Sequence, residues 1–198
     1  MARIREFDEQ KALTEAMYLF WEKGYEATTL NDLTTRMGIQ KPSLYSAYGD
    51  KSSLFEAALR HYNQQHAKYA RSKLNKITSV KVAFRNLFHD GVFPDGDHGR
   101  SGCFCINTMV ELAPHDAKFE ILTREHQQYL AAIFEDTLNR GVTSNEIDGT
   151  VDCRAIAQTL VVALIGITVL KKSNPSPEWI DNYIDSTLSL LASPLNGG

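Results

Sequence analysis

Cysteine is scarce in this sequence: 198 residues carry three, at positions 103, 105 and 153. An odd number in so long a chain gives no disulfide framework, and the opening MARIREFDEQ is charged and lacks the apolar stretch of a secretory signal. A reducing, cytoplasmic setting is expected. Strand signals are scarce too. No stretch alternates apolar and polar residues between tight hairpin turns, which argues against a sandwich or barrel. Positive charge is not in surplus. Lys and Arg total 21 against 24 Asp and Glu, a net charge of −3. Proteins that coat nucleic acid without regard to sequence are basic overall, so any such contact here must be a local patch. The longest apolar run, 155–170, contains Gln158, Thr159 and Thr168. At ~1.5 Å per residue it falls short of a ~30 Å hydrocarbon core, so it reads as a buried helix and no membrane partner is expected. Catalytic signatures are missing as well: paired carboxylates, a nucleophile elbow, a phosphate-cradling glycine loop and a metal triad on one helix. No enzyme activity and no cofactor are expected. The stretch FPDGDHGRSG (93–102) spaces Asp95 and Asp97 like a calcium loop, but Arg100 stands where that loop needs glycine and Ile106 where it needs glutamate.

What the sequence does have is helical spacing almost throughout, which predicts an all-α fold of about nine helices. Asp8 can cap a first helix whose apolar face is Leu13, Met17, Phe20 and Trp21, with Gly24 ending it. Thr29 and Asp32 resemble a capping box for a short second helix carrying Leu30, Leu33 and Met37. Gly38 stops that helix. A third starts at Pro42 and ends near Gly49, and Asp50 caps a long fourth helix that ends before Ile77. Ser79 opens a fifth, Ser101 or Gly102 a sixth that Pro114 breaks. A seventh runs to Gly141, an eighth from about Asp152 to Lys172, and a ninth follows Pro175 and Pro177.

The segment MGIQKPSLYSAYGDK (37–51) differs from its neighbours in having two tyrosines, two lysines and a proline in one short stretch. Residues 29–48 have the layout of a helix-turn-helix, and the chain divides by this reading into a DNA-binding domain at 1–50 and an effector-binding and dimerisation domain at 51–198. Proline suits a first helical turn, where its missing N–H costs nothing. Leu44 and Tyr48 are four apart and face inward, which leaves Lys41, Pro42, Ser43 and Tyr45 on the outer, N-terminal end that enters the major groove in this motif. Lys can donate to guanine, Ser can donate or accept, and Tyr45 can reach a phosphate. Lys51 and Thr29 sit at helix starts, where N–H groups favour phosphate. Arg3 and Arg5 form an N-terminal arm suited to a minor groove. The expected DNA-binding set is Thr29, Arg36, Gln40, Lys41, Pro42, Ser43, Tyr45, Tyr48 and Lys51. Charge weighs against a strong single unit: residues 1–51 hold seven Lys and Arg and eight Asp and Glu. Two units in a dimer would compensate. A helical interaction module that never touches DNA is the rival reading.

The segment TLNDLTTRMGIQKPSLYSAYGDKSSLF (29–55) resembles the DNA-binding segment of the TetR family of transcriptional repressors. The matching features are Thr29, Leu33, Gly38, the Ser43-Leu44-Tyr45 triplet, Tyr48, and Lys51 followed by Leu54. Chain length and the nine-helix layout agree, and GCFCINTMVEL (102–112) looks like one branch of that family. Two positions depart from it. Ala47 stands where many members have a phosphate-binding histidine, and Tyr48 replaces the usual phenylalanine. The resemblance implies a repressor that leaves a palindromic double-stranded DNA operator when a small-molecule effector binds. It also implies an effector pocket enclosed by helices five to seven and a homodimer through the last two helices.

The residues support that dimer independently. The run AIAQTLVVALIGITVL is apolar on nearly every face, Ala163 and Gly166 permit close helix approach, and the ninth helix adds Trp179, Tyr183, Ile184, Leu188 and Leu191. For the pocket, Cys103, Asn107 and Glu111 share one face of the sixth helix, and buried polar groups there must be satisfied. Hydrogen bonds to neighbouring helices would do so equally well. The expected ligand-binding set is Phe84, Phe88, Cys103, Asn107, Glu111, His126 and Tyr129. His126 on an apolar stripe is more often a satisfied core histidine than a ligand contact. Cys103 near a helix start, with Arg100 close by, has the setting of a reactive thiol that an oxidant or electrophile could modify. A small buried residue is the commoner role of a free cysteine. Metal sensing by Cys103, Cys105 and His89 or His98 fits no strong ligand template.

Overall fold

The computed structural model describes residues 7–92 and 102–191. The arm residues Arg3 and Arg5, and Asp95, Asp97, His98, Arg100 and Ser101, lie outside them. Among the described residues there are nine α-helices and no strand: α1 (Glu9–Lys23), α2 (Leu30–Met37), α3 (Lys41–Tyr48), α4 (Lys51–Asn75), α5 (Val80–Val92), α6 (Phe104–Glu111), α7 (Ala117–Thr143), α8 (Cys153–Leu170) and α9 (Pro177–Leu188). Short 3₁₀ turns, Lys171–Ser173 and Ser189–Leu191, extend α8 and α9.

The helix ends are fixed by local chemistry that the sequence carries. Asp8 accepts the Lys11 N–H at 3.1 Å. Thr29 and Asp32 form the reciprocal capping box, and Gly38 follows α2 in the left-handed region at φ 66°. There a Cβ is strained, so glycine is the natural stop. Asp50 accepts the Ser53 N–H at 2.7 Å at the start of α4. The sixth helix begins later than expected. Cys103 is its N-cap residue, with Gly102 at φ 70° ahead of it.

The chain packs as two compact units, one of Met1–Gln65 with Cys103–Thr123, the other of His66–Gly102 with Arg124–Gly198. The first contains α1–α3, the first part of α4, α6 and the start of α7. Its centre is Phe55, whose ring meets Phe20 at 4.8 Å, Tyr25 at 5.1 Å, Phe104 at 5.1 Å and Phe119 at 5.3 Å, all edge to face. Leu33, Leu44, Leu54 and Leu59 complete the core around it. The second unit is built from the rest of α4 and α7 with α5, α8 and α9. Phe84 and Phe134 meet edge to face at 5.2 Å within a core that includes Phe88, Leu138, Leu160, Ile167, Ile180 and Ile184. Two side chains tie its loops down. Glu146 accepts from the Ser79 hydroxyl at 2.6 Å and from the Val80 and Lys81 N–H groups at 2.7 and 3.0 Å, capping α5 from outside. Arg140 donates to the Leu74 carbonyl at 2.7 Å and to Asn75 at 3.2 Å, closing the end of α4.

With its 3₁₀ turn, the stretch Cys153–Ser173 is long and apolar enough to cross a membrane by length and composition. Its apolar content has a nearer use. Ala157, Leu160, Val161, Ala163, Leu164 and Ile167 are buried in the core shared with α5 and α9.

Candidate nucleic-acid interface

The helix α3 is held by one side and presented by the other. Leu44 is 1% exposed and buried with Leu33 and Phe55. Tyr48 is half-buried, and its hydroxyl donates to the Glu9 carbonyl at 2.9 Å, pinning the end of α3 to the start of α1. Around the opposite face Gln40, Lys41, Pro42, Tyr45 and Ser46 are exposed and Ser43 is half-exposed. Proline lies in the first turn of α3, and no side chain caps its start. The first N–H groups are therefore left pointing outward with the positive end of the helix dipole. Ser46 belongs to the same outward face and was missed by the sequence reading. An exposed serine in the middle of a short helix gives no signal until the face is known.

Two more expected positions flank this end. Thr29 is exposed, and its hydroxyl is engaged in the capping box, donating to Asp32 at 2.9 Å. The Thr29 backbone and hydroxyl donors hold the Asp32 carboxyl below the usual range, with Lys23 at 3.3 Å. Lys51 opens α4 with its ammonium 4.3 Å above the Tyr25 ring. Beside it is a cation that only the fold reveals: Lys118 of α7 donates to the Ser52 hydroxyl at 3.0 Å and pairs with Glu56 at 3.4 Å.

Arg36 departs from the expectation. Its guanidinium turns back to α1, bonded to Glu15 at 2.8 Å and to Glu22 at 3.4 Å. The two carboxylates engage three of the five guanidinium N–H donors, so Arg36 braces α2 against α1.

The seven residues expected to line a pocket fall into two groups. In the first unit, Cys103 is 7% exposed and its sulfur accepts the Tyr62 hydroxyl at 3.3 Å. Burial pushes the Cys105 thiol and the Tyr62 hydroxyl well up, away from their ionised forms. Asn107 is half-buried on the same helix. Glu111 spends its carboxylate on the backbone of the α1–α2 turn, accepting the Tyr25 N–H at 3.0 Å and the Glu26 N–H at 3.2 Å. In the second unit Phe84 and Phe88 are wholly buried, packed among core side chains. His126 meets His66, ring nitrogen to ring nitrogen, at 3.0 Å. Tyr129 is 51% exposed, with the Arg71 guanidinium 6.0 Å from its ring centre. A cleft of this unit between α4 and α7 is lined by Arg71, Asn75, Ile133, Asp136, Thr137 and Arg140, and includes none of the seven.

A family model described as bacterial regulatory proteins, tetR family, matches residues 12–58, and one described as tetracyclin repressor-like, C-terminal domain, matches residues 85–186. The chain is 32% identical over 193 residues to the uncharacterized HTH-type transcriptional regulator YezE of Bacillus subtilis, across 96% of this chain and 100% of that one. It is 29% identical over 191 residues to the HTH-type transcriptional repressor ComR of Escherichia coli, across 95% of this chain and 90% of that one. Among solved structures it is similar to a cysteine mutant of the TetR family regulator CifR complexed with 26 bp double-strand operator DNA. That likeness has a TM-score of 0.81 and 29% identity, and covers 98% of this chain and 100% of that one. The helix-turn-helix face, the helical second unit and these likenesses agree, and the chain belongs to the TetR family of bacterial regulatory proteins as a DNA-binding regulator of transcription.

Proposed function

We propose that this regulator is a cytoplasmic repressor that holds a palindromic double-stranded DNA operator as a homodimer and leaves it when a small molecule engages the region after residue 50. One observation carries the DNA half of this reading. The α3 helix is locked inward by Leu44 while Lys41, Ser43 and Tyr45, together with uncapped N–H groups, face out. That is the end of a recognition helix that meets base edges and phosphates. Thr29 and Lys51 would take phosphates on either side of it. CifR, 29% identical over nearly the whole chain, is complexed with operator DNA, which supports the same use here.

A mobility shift with the DNA upstream of its own gene tests this. The wild type is expected to give a salt-sensitive, sequence-specific shift. Tyr45→Ala, which removes an exposed side chain and no core contact, is expected to weaken it about tenfold, ~1.4 kcal/mol. Equal binding by the variant would remove Tyr45 from the interface, and no shift by the wild type would favour the helical interaction module.

Exposed apolar side chains support the dimer. Val162 is 68% and Val169 47% exposed on α8, and Trp179 is 56% exposed on α9. These are large residues to leave in water. Two recognition helices held about one DNA turn, ~34 Å, apart also need a second copy. A dimer mass is expected in light scattering at micromolar concentration, and Val162→Glu is expected to shift it toward monomer. A wild-type monomer would sink this part.

For release of DNA, the setting of Cys103 favours a bound small molecule over direct attack on the thiol. The sulfur is buried under the Tyr62 hydroxyl, so an oxidant or electrophile acting at Cys103 would first have to open that contact.

A further inference from the structure

The turn between α1 and α2 is a compact knot with two backbone donors left over. Gly24 has φ 81°, and its N–H closes α1 on the Phe20 carbonyl at 2.8 Å. The Thr28 hydroxyl donates to the Gly24 carbonyl at 2.6 Å, and the Thr28 N–H to the Tyr25 carbonyl at 3.2 Å. The N–H groups of Tyr25 and Glu26 point away from this knot, side by side. Consecutive N–H groups with a positive-φ glycine beside them make a concave anion site. The anion is supplied from another part of the chain. Glu111, the last residue of α6, places one carboxylate oxygen 3.0 Å from the Tyr25 nitrogen and 3.2 Å from the Glu26 nitrogen, and its other oxygen 3.4 Å from Tyr25. A Cβ at position 24 would sit 3.2 and 3.3 Å from the two carboxylate oxygens, so glycine both turns the chain and leaves room for the carboxylate.

This clasp lies between Thr29 and Lys51, the two positions proposed above to take phosphates. On one side the turn runs through Thr28 directly into Thr29, the exposed N-cap of α2. On the other the Tyr25 ring carries the Lys51 ammonium at 4.3 Å and packs edge to face on Phe55 of α4. Tyr25 is thus a shared support for the start of α2 and the start of α4. We propose that Glu111 is a positioning residue for DNA binding: its carboxylate, clamped on the Tyr25 and Glu26 N–H groups, fixes the spacing between Thr29 and Lys51 so that both reach phosphates of one half-site. The assignment rests on the DNA-binding reading of the α3 face and gives Glu111 a role in the first unit in place of one in an effector pocket. Charge is what the clasp needs. One carboxylate oxygen accepts both N–H groups with charge-assisted bonds while the other lies 3.4 Å from the Tyr25 nitrogen; an amide loses the charge and turns its NH₂ toward that donor.

Glu111→Gln tests this with the full-length protein and double-stranded DNA from upstream of its own gene, titrated across a range of salt. The variant is expected to bind about tenfold more weakly at low salt, with the log K against log salt slope shallower by about 1 to 2, the loss of the Lys51–phosphate ion pair in one or both half-sites. Preference for that DNA over a scrambled duplex is expected to hold within about twofold, since the base-reading end of α3 is untouched. Thermal melting close to that of the wild type would accompany this. A wild-type slope in the variant overturns the proposal, whether affinity is unchanged or falls, because a general loss of fold does not remove phosphate contacts selectively. A second measurement needs no variant: slow amide exchange at Tyr25 and Glu26 in the free wild-type protein is expected, and fast exchange at both overturns the clasp. Absence of any specific shift by the wild type refutes the DNA-binding reading and this role with it, whereas a wild-type shift matched by Glu111→Gln refutes this role alone.

Discussion

Truncating Phe55 to alanine is expected to cost about 3–5 kcal/mol and to abolish DNA binding without touching any residue of the exposed α3 face. The ring is 1% exposed and meets four aromatic partners edge to face at 4.8 to 5.3 Å. Those partners come from α1, the α1–α2 turn, α6 and α7. Each such pair is worth roughly 0.5–1.5 kcal/mol beyond the area it buries. Alanine would leave a hole that five elements cannot close together, because each is also anchored elsewhere. A loss of that size is a large share of the roughly 5–15 kcal/mol that holds a domain folded. The check is a denaturant midpoint read alongside amide exchange in α1–α3, with Phe55→Leu as the control. Leucine keeps most of the volume and is expected to cost less than half as much. A cost under about 1 kcal/mol for alanine would mean that the site collapses freely and that Phe55 is not the centre of this unit.

The same ring shows why part of this structure was open to reading and part was not. Much that depends on neighbours a few residues apart was legible, the start of α6 excepted. Asp8 and Asp50 cap where an acidic residue precedes an apolar run, Thr29 and Asp32 make their box, and Gly38 takes the left-handed turn. The outward end of α3 was legible as well, because a four-residue spacing between Leu44 and Tyr48 fixes which side faces in. What could not be read were partners distant in sequence. Arg36 sits on the outer stripe of α2, and only the approach of α1 brings Glu15 and Glu22 to it. Glu111 looked like part of a polar stripe with Cys103 and Asn107. Its true acceptor role needs the α1–α2 turn, 86 residues earlier, to arrive with two spare N–H groups. The packing of α6 and the start of α7 with the helix-turn-helix unit has the same origin. Phe104 and Phe119 belong there because Phe55 does, and periodicity alone says that they are buried without saying against what.

Acid is expected to destabilise the second unit well before its carboxylates begin to protonate, and the pair His66 and His126 is the cause. The two rings lie 3.0 Å apart, nitrogen to nitrogen, one donating and one accepting. Burial lowers His126 from 6.5 to about 3, with the neighbouring His66 adding to the shift, and burial alone lowers His66 to about 4. His126 is 6% exposed, while His66 keeps some solvent-facing surface, so His126 carries the larger share. The sign follows from linkage. The unfolded chain takes up protons at these positions as pH drops through about 6.5, the folded chain does not, and stability therefore rises with pH across this window. It is whole above about pH 7 and is lost toward pH 4, at up to ~1.4 kcal/mol per pH unit for each histidine. The carboxylates that the fold holds low, such as Glu146 and Asp90, lose their contribution only as pH falls toward the ordinary carboxylate range. Between pH 7 and pH 5 the histidines can thus be read alone. Denaturant midpoints across that interval are expected to fall by an equivalent of about 2–4 kcal/mol in the wild type. His126→Gln, which keeps a polar partner for His66 and does not titrate, is expected to flatten the profile by about 1 kcal/mol per unit or more. The variant should be less stable than the wild type at pH 7 and gain on it as pH falls. A wild-type profile that is flat from pH 7 to pH 5, or a variant as steep as the wild type, would show that the pair is not kept neutral by the fold.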